Sequence, residues 1–514
     1  MRMAFTSEWL SRKLGYGFAF DEQLPAPEKW VEAAKAQVAT VSKFDPWRLV
    51  AKNPDGKTLA DRQLPDDITS IKGYDLTVDA LRYPDDLQKS VKHFNEMMRV
   101  KEKVLKLQAE GKISLEERNR IWWKKYNQFS WWRDTLTRGL DNCFGDTPVF
   151  NRFWHFWINH FSLNTESCEG ELYGNFYLTL RSNMTKKFED MLFNAVWHPA
   201  MQEFLNNVES VGPNSRLAKR SIEIGRGPRS INENLARELL ELYSVTPEAN
   251  YQQNDVNSAA YILTGFGTHT DPNSKVSSFY YLDDLHEPGN HKVLGKIYDQ
   301  KSAVDNLRLL CKDLALHPLT AKHIARKIAR HFISDSPPES SVNYIQDIYV
   351  KSGGSLVAVH HAVIDEVVKQ GPTMRKFLAP ELWFWQLHRA SKKSLWMDFM
   401  GKDHNQGSDQ LNSRLFELGQ LHSKAPQPNG WPDTEAEWVT PEFFDRRIRY
   451  AHMLGFKLAN SPDPNTGDMS NFNPKEYIER LVPEGTDIVK LVKRAESYPV
   501  SVAILFCSEN FLRA

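Results

Sequence analysis

The segment Phe153–Phe161 (Phe-Trp-His-Phe-Trp-Ile-Asn-His-Phe) combines aromatic and polar side chains that could line a site. At helical spacing His160 shares one face with Phe153 and Trp157, whereas Asn159 belongs to a second, polar stripe. The imidazole of His160 could ligate a metal ion or act as a general base. A histidine on an aromatic face is more often a hydrogen-bonded core residue. His160 is therefore a candidate catalytic residue and metal ligand, and Trp157 and Asn159 are candidate binding residues.

A second polar face is expected on the helix of residues 232–243. Asn234, Arg237, Glu238 and Glu241 recur there at helical spacing, opposite a stripe of leucines. Spacing alone favours a solvated face with an Arg237–Glu241 ion pair, which contributes about 0.3 kcal/mol. In the alternative the face lines a pocket. Glu238 and Glu241 would then be catalytic carboxylates, with Glu238 also a metal ligand, and Asn234 and Arg237 would bind substrate.

A row of cationic side chains is expected on the helix of residues 317–332. His323, Lys327 and His331 follow one another at intervals of one helical turn, and Arg326 lies beside this row. Cations held on one face can bind a phosphate, sulfate or carboxylate group. The alternative is a solvated surface, or a face that pairs with the acidic helix described above. His323 and Arg326 are candidate binding residues.

Composition limits the classes of function. Lys+Arg and Asp+Glu both total 65, so no overall field steers the chain to nucleic acid or an anionic membrane, although local basic patches are compatible with this balance. No apolar window is long enough to span a membrane, and no secretory signal is visible, so the chain is cytoplasmic or already trimmed. The absence of CxxC and CxxCH argues against a zinc ribbon and excludes the usual covalent haem. The 15 tryptophans favour core packing and leave a saccharide or peptide groove open.

The helices predicted from the spacing of apolar residues would position these side chains. We expect long helices over residues 81–107 and 114–136, a helix that starts at Pro148, one from Asn232 to about Val245, and one that starts at His317-Pro318. Residues 267–300 predict a small β-hairpin or lid, and residues 396–435 are loop-rich. The fold class is all-α, a multi-helix globular array with that insertion. Three regions are expected (1–140, 141–395 with the site, and 396–514), or one continuous domain.

Six blocks in this order resemble the bacterial family known as domain of unknown function 1800, over roughly residues 8–510. They are Leu10–Gly17, Phe156–Phe161, Asn232–Leu242 continued by Tyr251, Asp255-Val256 and Leu263–Phe266, His286–Gly295, His317–Pro338, and Pro428–Pro432 with Trp438. One departure is that the family commonly has His where this chain has Ile158. Either a site depends on His160, or His155 substitutes for the missing residue, or there is no metal.

The resemblance implies a helical fold and export, hence a periplasmic or secreted location, with the cytoplasm as the alternative. It also implies a sulfatase-like partner encoded nearby. It adds Asp255 as a candidate catalytic residue and His286, in the lid, as a candidate binding residue, because both lie in matched blocks. It strengthens the interpretation of the Glu238 face as a site.

The leading hypothesis is an enzyme with a His/carboxylate/Arg pocket, with or without a divalent metal ion, that acts on an exported polymer or a peptide. Nitrogen and oxygen ligands without thiolate suit Zn, Mn, Fe or Ca. The alternative is a non-catalytic scaffold, or a protein that binds polysaccharide or another protein. A third hypothesis, a haem or copper redox protein, rests only on the abundance of His and aromatic residues.

Overall fold

A computed structural model of the chain describes residues 5–41, 91, 103–122, 135, 138–164, 171–270, 277–392, 404–421, 423–460, 469–483 and 485–514. Helices dominate this part of the chain, and its strands form two short hairpins. The predicted class, all-α with a small β insertion, is therefore confirmed. Within the same residues, no helix is both long and apolar enough to cross a bilayer.

The helices are numbered here in chain order. They are α1 (Ser7–Leu14), α2 (Pro27–Val38), α3 (Leu115–Trp122), α4 (Pro148–His160), α5 (Glu171–Asn183), α6 (Phe188–Trp197), α7 (Pro199–Phe204), α8 (Arg216–Glu223), α9 (Asn234–Glu241), α10 (Gln253–Ile262), α11 (Ala303–Ala315), α12 (Pro318–Phe332), α13 (Glu339–Lys351), α14 (Leu356–Gln370), α15 (Pro380–Ser391), α16 (His404–Glu417), α17 (Pro441–Asn460), α18 (Pro474–Leu481), α19 (Asp487–Arg494), α20 (Tyr498–Cys507) and α21 (Glu509–Leu512).

Two antiparallel hairpins interrupt the helical array between α10 and α11. Their strands are β1 (Phe266–Thr270) with β2 (Ser277–Tyr281), and β3 (His291–Val293) with β4 (Lys296–Tyr298). The sequence predicts a single hairpin in this region, whereas the structure has two. The second turns through Leu294 and Gly295, whose φ values of 48° and 83° suit the two-residue turn that matches strand twist.

Helices α4 and α12 begin where the sequence predicts. Pro148 occupies the first turn of α4, whose residues are buried except at Pro148 and Asn159. In α12, Pro318 fills the first turn and the Nδ1 atom of His317 accepts a hydrogen bond from the Leu319 amide, 3.2 Å away. A helix buried on nearly every side, such as α4, must satisfy its polar side chains inside the protein.

Helix α9 differs from the prediction at both ends. The N-cap position is Glu233, although the side chain of Asn232 does accept a hydrogen bond from the Asn234 amide. The helix stops at Glu241 and does not reach Val245. One reason is that the Ser244 hydroxyl donates to the Leu239 carbonyl, an acceptor that a longer helix would need.

Helix α16 lies inside the stretch 396–435 that the sequence predicts to be loop-rich, so that prediction is wrong for residues 404–417. The helix is stabilised by burying Leu411 and Leu415, one turn apart, in an otherwise polar segment. The predicted helix 81–107 lies mostly outside the described residues. The predicted helix 114–136 contains α3, and most of its remainder lies outside them too.

The buried apolar side chains form two clusters, one centred on α4 to α14 and one on α15 to α21. The start of the chain contributes to both, because Leu10 and Leu14 pack in the first and Tyr16 and Phe18 in the second. The three-region division of the sequence stays a prediction.

Buried cations on α1 tie the beginning of the described chain to its end. Lys13 Nζ donates to the carbonyls of Ile333, Met374 and Ala514 at 2.8, 2.7 and 2.8 Å. The neighbouring Arg12 donates to carbonyls of α21. These contacts hold both cations in the interior of the protein.

Candidate functional site

The C-terminal end of α4 meets the middle of α12 through one direct polar contact. Lys327 Nζ donates to His160 Nδ1 at 3.0 Å. His160 is buried, with 1% of its surface exposed, whereas Lys327 is partly exposed. An ammonium group has only donors, so Nδ1 must be the acceptor, and a neutral His160 then carries its proton on Nε2. The contact fixes both the tautomer of the histidine and the position of the amine.

Burial shifts both side chains of this pair toward their neutral forms. Burial lowers the pKa of Lys327 to about 8, with Asp433 opposing the shift and Arg330 adding to it. Burial also lowers the pKa of His160 well below its usual range, helped by the nearby charges of Lys327 and His323. A lysine poised near neutral pH can act as a cation or as an amine, and such shifts cluster at functional sites.

The residues that follow α9 approach His160 from another side. His323, one turn before Lys327, has its Nε2 3.0 Å from the Leu242 carbonyl, and burial lowers its pKa to about 4. The His160 ring lies 6.1 Å from the rings of both His323 and Tyr243. Helix α9 thus reaches His160 through the residues after its last turn, and not through the predicted Arg237 face.

Arg330 completes a group that we call the Lys327 centre: His160, His323, Lys327 and Arg330. Among the described residues neither Lys327 nor Arg330 forms an ion pair with a carboxylate, and Arg330 Nε is buried without a hydrogen bond. Unpaired guanidinium donors in a partly enclosed position cost free energy unless an acceptor reaches them. Positive charge is therefore in excess at this centre.

The nearest carboxylate, Asp433, is already engaged. Its Oδ2 lies 2.8 Å from His331 Nδ1, and its Oδ1 lies 3.6 Å from Lys376 Nζ. Burial would raise the pKa of Asp433, but its contact with His331 and the charge of Lys376 lower it overall. The other ring nitrogen of His331 lies 2.8 Å from a guanidinium nitrogen of buried Arg152, a group that can only donate. His331 therefore accepts a hydrogen bond from Arg152 and donates one to Asp433. Neither of its ring nitrogens is free to act as a base.

Two predicted residues of α4 make contacts that favour packing roles. Trp157 is fully buried and its indole N–H donates to His360 Nε2 at 2.9 Å. The Asn159 amide makes two hydrogen bonds to Trp431, donating to its carbonyl at 3.0 Å and accepting from its amide at 2.8 Å. Asn159 thereby fixes the segment that leads to Asp433.

The predicted face of α9 lies at the surface. Arg237 pairs with Glu233 at 2.7 Å, and not with Glu241 as expected for a solvated face. Glu238 is half-buried, and its pKa is raised by burial and by the charge of Glu241. Asn234 is exposed. Thus Arg237 forms a surface ion pair, and Glu238 remains the member of this face with a perturbed carboxyl group.

The remaining predicted residues are dispersed. Asp255 accepts hydrogen bonds from the amides of Gln252 and Leu294, both at 2.8 Å, so it caps α10 and holds the β3–β4 turn. His286 Nδ1 lies 2.9 Å from the Thr264 carbonyl, and Arg326 pairs with Glu339 at 3.0 Å. None of these contacts brings the three residues to the Lys327 centre.

The proposed metal ligands His160 and Glu238 are not joined by a hydrogen bond. Tyr243 is close to both, since its ring approaches His160 and its pKa is raised by burial and by Glu238. Over the described ranges no group of three or more His, Cys, Asp or Glu side chains is placed to hold a metal ion. Lys327 occupies only the Nδ1 atom of His160, so the role of His160 and Glu238 as metal ligands stays a prediction.

Sequence reasoning placed Lys327 and His331 in a row with His323 but did not select them. It placed Arg330 beside Arg326 on the same helix without selecting it, and it missed Arg152 and Asp433. The available signal was the regular His–Lys–His spacing on α12. Asp433 follows directly after the matched block Pro428–Pro432.

Comparison with known proteins gives a family and nothing more specific. No curated protein and no solved structure matches the chain. The sequence model of one family, described as "Protein of unknown function (DUF1800)", matches residues 10–499. This match spans nearly the whole chain and includes the segments of α4, α9 and α12 that form the Lys327 centre. The chain therefore belongs to the DUF1800 family.

Proposed function

We propose that this protein is an enzyme that binds an anionic group of its substrate at the Lys327 centre and uses Lys327 for proton transfer. The observation that carries the proposal is the 3.0 Å contact of Lys327 Nζ with buried His160, beside an Arg330 that has no carboxylate partner among the described residues. The centre keeps His160 of the His/carboxylate/Arg pocket expected from the sequence, but it has Lys327 and Arg330 in place of Arg237 and Glu238, so no carboxylate is among its members.

Each side chain of the Lys327 centre would have a separate role that depends on its charge. Arg330 keeps its charge at any physiological pH and suits a two-oxygen group such as sulfate, phosphate or carboxylate. Lys327, with its pKa lowered to about 8, binds the same anion as an ammonium group and accepts a proton as an amine. His160, neutral and buried, holds the amine in place.

The substrate class follows from this charge. An exported polymer or peptide that carries sulfate, phosphate or carboxylate groups fits the centre. A sulfatase-like partner, which the family resemblance implies, would act on a sulfated polymer. Among simple anions, sulfate is thus the first probe.

The test compares two lysines on one helix. Lys327→Met removes the inward cation, and Lys322→Met is the matched control, because Lys322 pairs with Glu248 on the outer side of α12. Calorimetric titration with sulfate at low ionic strength should show binding to the wild type and the control, and at least about tenfold weaker binding to Lys327→Met. Equal binding by all three proteins, or no binding by the wild type, would contradict the proposal.

Turnover is tested separately with 4-nitrophenyl sulfate, phosphate and acetate. The proposal predicts release of nitrophenol from at least one of them by the wild type and the Lys322→Met control, and loss of most of that activity in Lys327→Met. Sulfate binding without turnover of any of these compounds would favour the second candidate function.

That second candidate is a non-catalytic protein that binds an anionic polymer or a partner. The observation in its favour is that Asn159, His331 and Asp433 use their polar atoms to join α4, α12 and the segment around Trp431. A site framed by structural contacts can bind without reacting.

A further inference from the structure

Helix α8 exposes its large side chains and buries its small ones. Ala218 and Ser221 face the protein, whereas Leu217 is 38% exposed and Ile222 is 58% exposed. Ile224, just after the helix, is 55% exposed. An amphipathic helix that packs on a core shows the opposite arrangement. At 100° per residue, Leu217 and Ile224 lie on one edge of the exposed face of α8 and Ile222 lies on the other edge, so exposed aliphatic side chains flank this face on both sides.

The same segment is strongly basic. Residues 216–229 contain five cations and a single acidic residue, Glu223, although the chain as a whole is neutral. Arg216 pairs with Asp283 and Asp284, both at 2.7 Å. The other four cations have no carboxylate partner in the part of the chain that the structure describes, and all four are exposed. They are Lys219, Arg220, Arg226 and Arg229.

The segment holds these side chains on a fixed frame. The Ser215 hydroxyl caps α8 by accepting from the Ala218 amide at 3.2 Å. After the helix, the Ser221 hydroxyl donates to the Gly227 carbonyl at 3.0 Å, and the Arg226 amide donates to the Ser221 carbonyl at 2.8 Å. The loop is therefore folded back on the helix, and its backbone is held close to Ser221.

We propose that this surface, residues 216–229, docks onto an anionic lipid bilayer. Cations beside exposed aliphatic side chains complement a membrane interface, where phosphates lie next to acyl chains. A soluble anionic polymer or an acidic protein would use the charges but would leave Ile222 and Ile224 in water. The proposal is independent of the Lys327 centre, which lies on α4 and α12.

Co-sedimentation with vesicles tests it. The wild type should bind vesicles containing phosphatidylglycerol, bind phosphatidylcholine vesicles far more weakly, and release in high salt. Arg220→Ala with Arg226→Ala should weaken binding roughly 25-fold, since each cation near the surface contributes about a factor of five. Ile222→Ser with Ile224→Ser should weaken it clearly as well. The matched control is Val350→Ser with Lys351→Ala on α13, where Val350 is 57% exposed, and it should bind like the wild type.

The contrary results are equally specific. Wild-type binding that does not depend on phosphatidylglycerol would overturn the proposal. The proposal would also be overturned if the isoleucine variant bound vesicles normally while the arginine variant lost binding. Charge alone would then account for binding, and a soluble anionic polymer would be the better ligand. All substitutions are at exposed positions, and unchanged melting temperatures would show that the variants are folded.

Discussion

Lys327 is the residue on which the functional account depends. It is the middle member of the His323–Lys327–His331 row, and each member contacts a different part of the protein: Leu242, His160 and Asp433. The spacing of the row on one face was predictable from the sequence. Its partners were not, because residues 160 and 433 are brought to α12 only by tertiary packing.

The pH dependence of sulfate binding follows from the lowered pKa of Lys327, about 8. Sulfate binds the ammonium form, so affinity is highest below that pKa and falls as the amine loses its proton. Between pH 7 and pH 9 the charged fraction drops from about nine-tenths to about one-tenth, so binding should weaken up to about tenfold. Calorimetry across this range measures the change. Constant affinity up to pH 10 would mean that Arg330 alone holds the anion.

Asp433 compensates a group of buried cations, so its charge should matter for stability. Asp433→Asn keeps the shape but takes the carboxylate away from neutral His331 and from the cations Arg152 and Lys376. Lys376 keeps its ion pair with Asp335, so we expect a cost of about 2 kcal/mol in the free energy of unfolding. The matched control is Asp365→Asn, which breaks the partly exposed Lys35–Asp365 pair and should cost about 0.5 kcal/mol. Urea unfolding compares the variants, and similar losses for both would refute the role given to Asp433.

At the scale of elements, the segment around Gly430 is held against the end of α4. Gly430 has φ of 81°, and a Cβ atom there would lie within 2.6 Å of the Asn159 side-chain oxygen. The two hydrogen bonds between Asn159 and Trp431 require this close approach. The segment therefore depends on a glycine for both its conformation and its contact.

Gly430→Ala should thus destabilise the protein by about 3 kcal/mol, because strain and steric clash add. Gly295→Ala is the matched control: its φ is 83°, but no atom lies within 4 Å of an added Cβ. It should cost only about 1 kcal/mol, the strain alone. Thermal and urea unfolding give both values. Equal effects would show that the contact with Asn159 is unimportant.

The sequence predicts elements well where local signals are strong. Pro148 and His317-Pro318 mark the starts of α4 and α12, and alternating residues mark β2. The end of α9 was not predicted because it depends on a hydrogen bond from the Ser244 hydroxyl to the Leu239 carbonyl. Helix α16 was not predicted because its segment is polar and contains a glycine. The burial of Leu411 and Leu415, which stabilises the helix, depends on tertiary packing. Asp255 was selected by position in a matched block, whereas its actual contacts cap a helix and a turn.

At the scale of the whole molecule, ionisable groups are buried in unusual number around two apolar clusters. Burial lowers the pKa of His323 and His331 to about 4, and of His198 and His360 to about 3. Each remains neutral in the folded protein, but in the unfolded chain each binds a proton near the ordinary histidine pKa of about 6.5. The sequence alone could not show this, because burial of a histidine is a tertiary property.

Stability should therefore fall steeply in mild acid. Below pH 6.5 the unfolded chain binds more protons than the folded one, so each of these histidines removes about 1.4 kcal/mol per pH unit until its folded pKa is reached. Four such groups would remove roughly 5 kcal/mol between pH 6 and pH 5. Thermal unfolding between pH 8 and pH 5 tests this. A melting temperature that stays constant would contradict the neutral, buried state of the histidines.

The acid constant of the Lys327 amine distinguishes a lysine that can exchange a proton near neutral pH from an ordinary surface lysine. Trace acetylation at a series of pH values, followed by peptide mass spectrometry, gives the midpoint at which each lysine becomes reactive. The account predicts a midpoint for Lys327 at a pKa of about 8, well below the ordinary lysine value of about 10.4, and slower labelling of Lys327 when sulfate is present. A midpoint near the ordinary value, with no protection by sulfate, would contradict it.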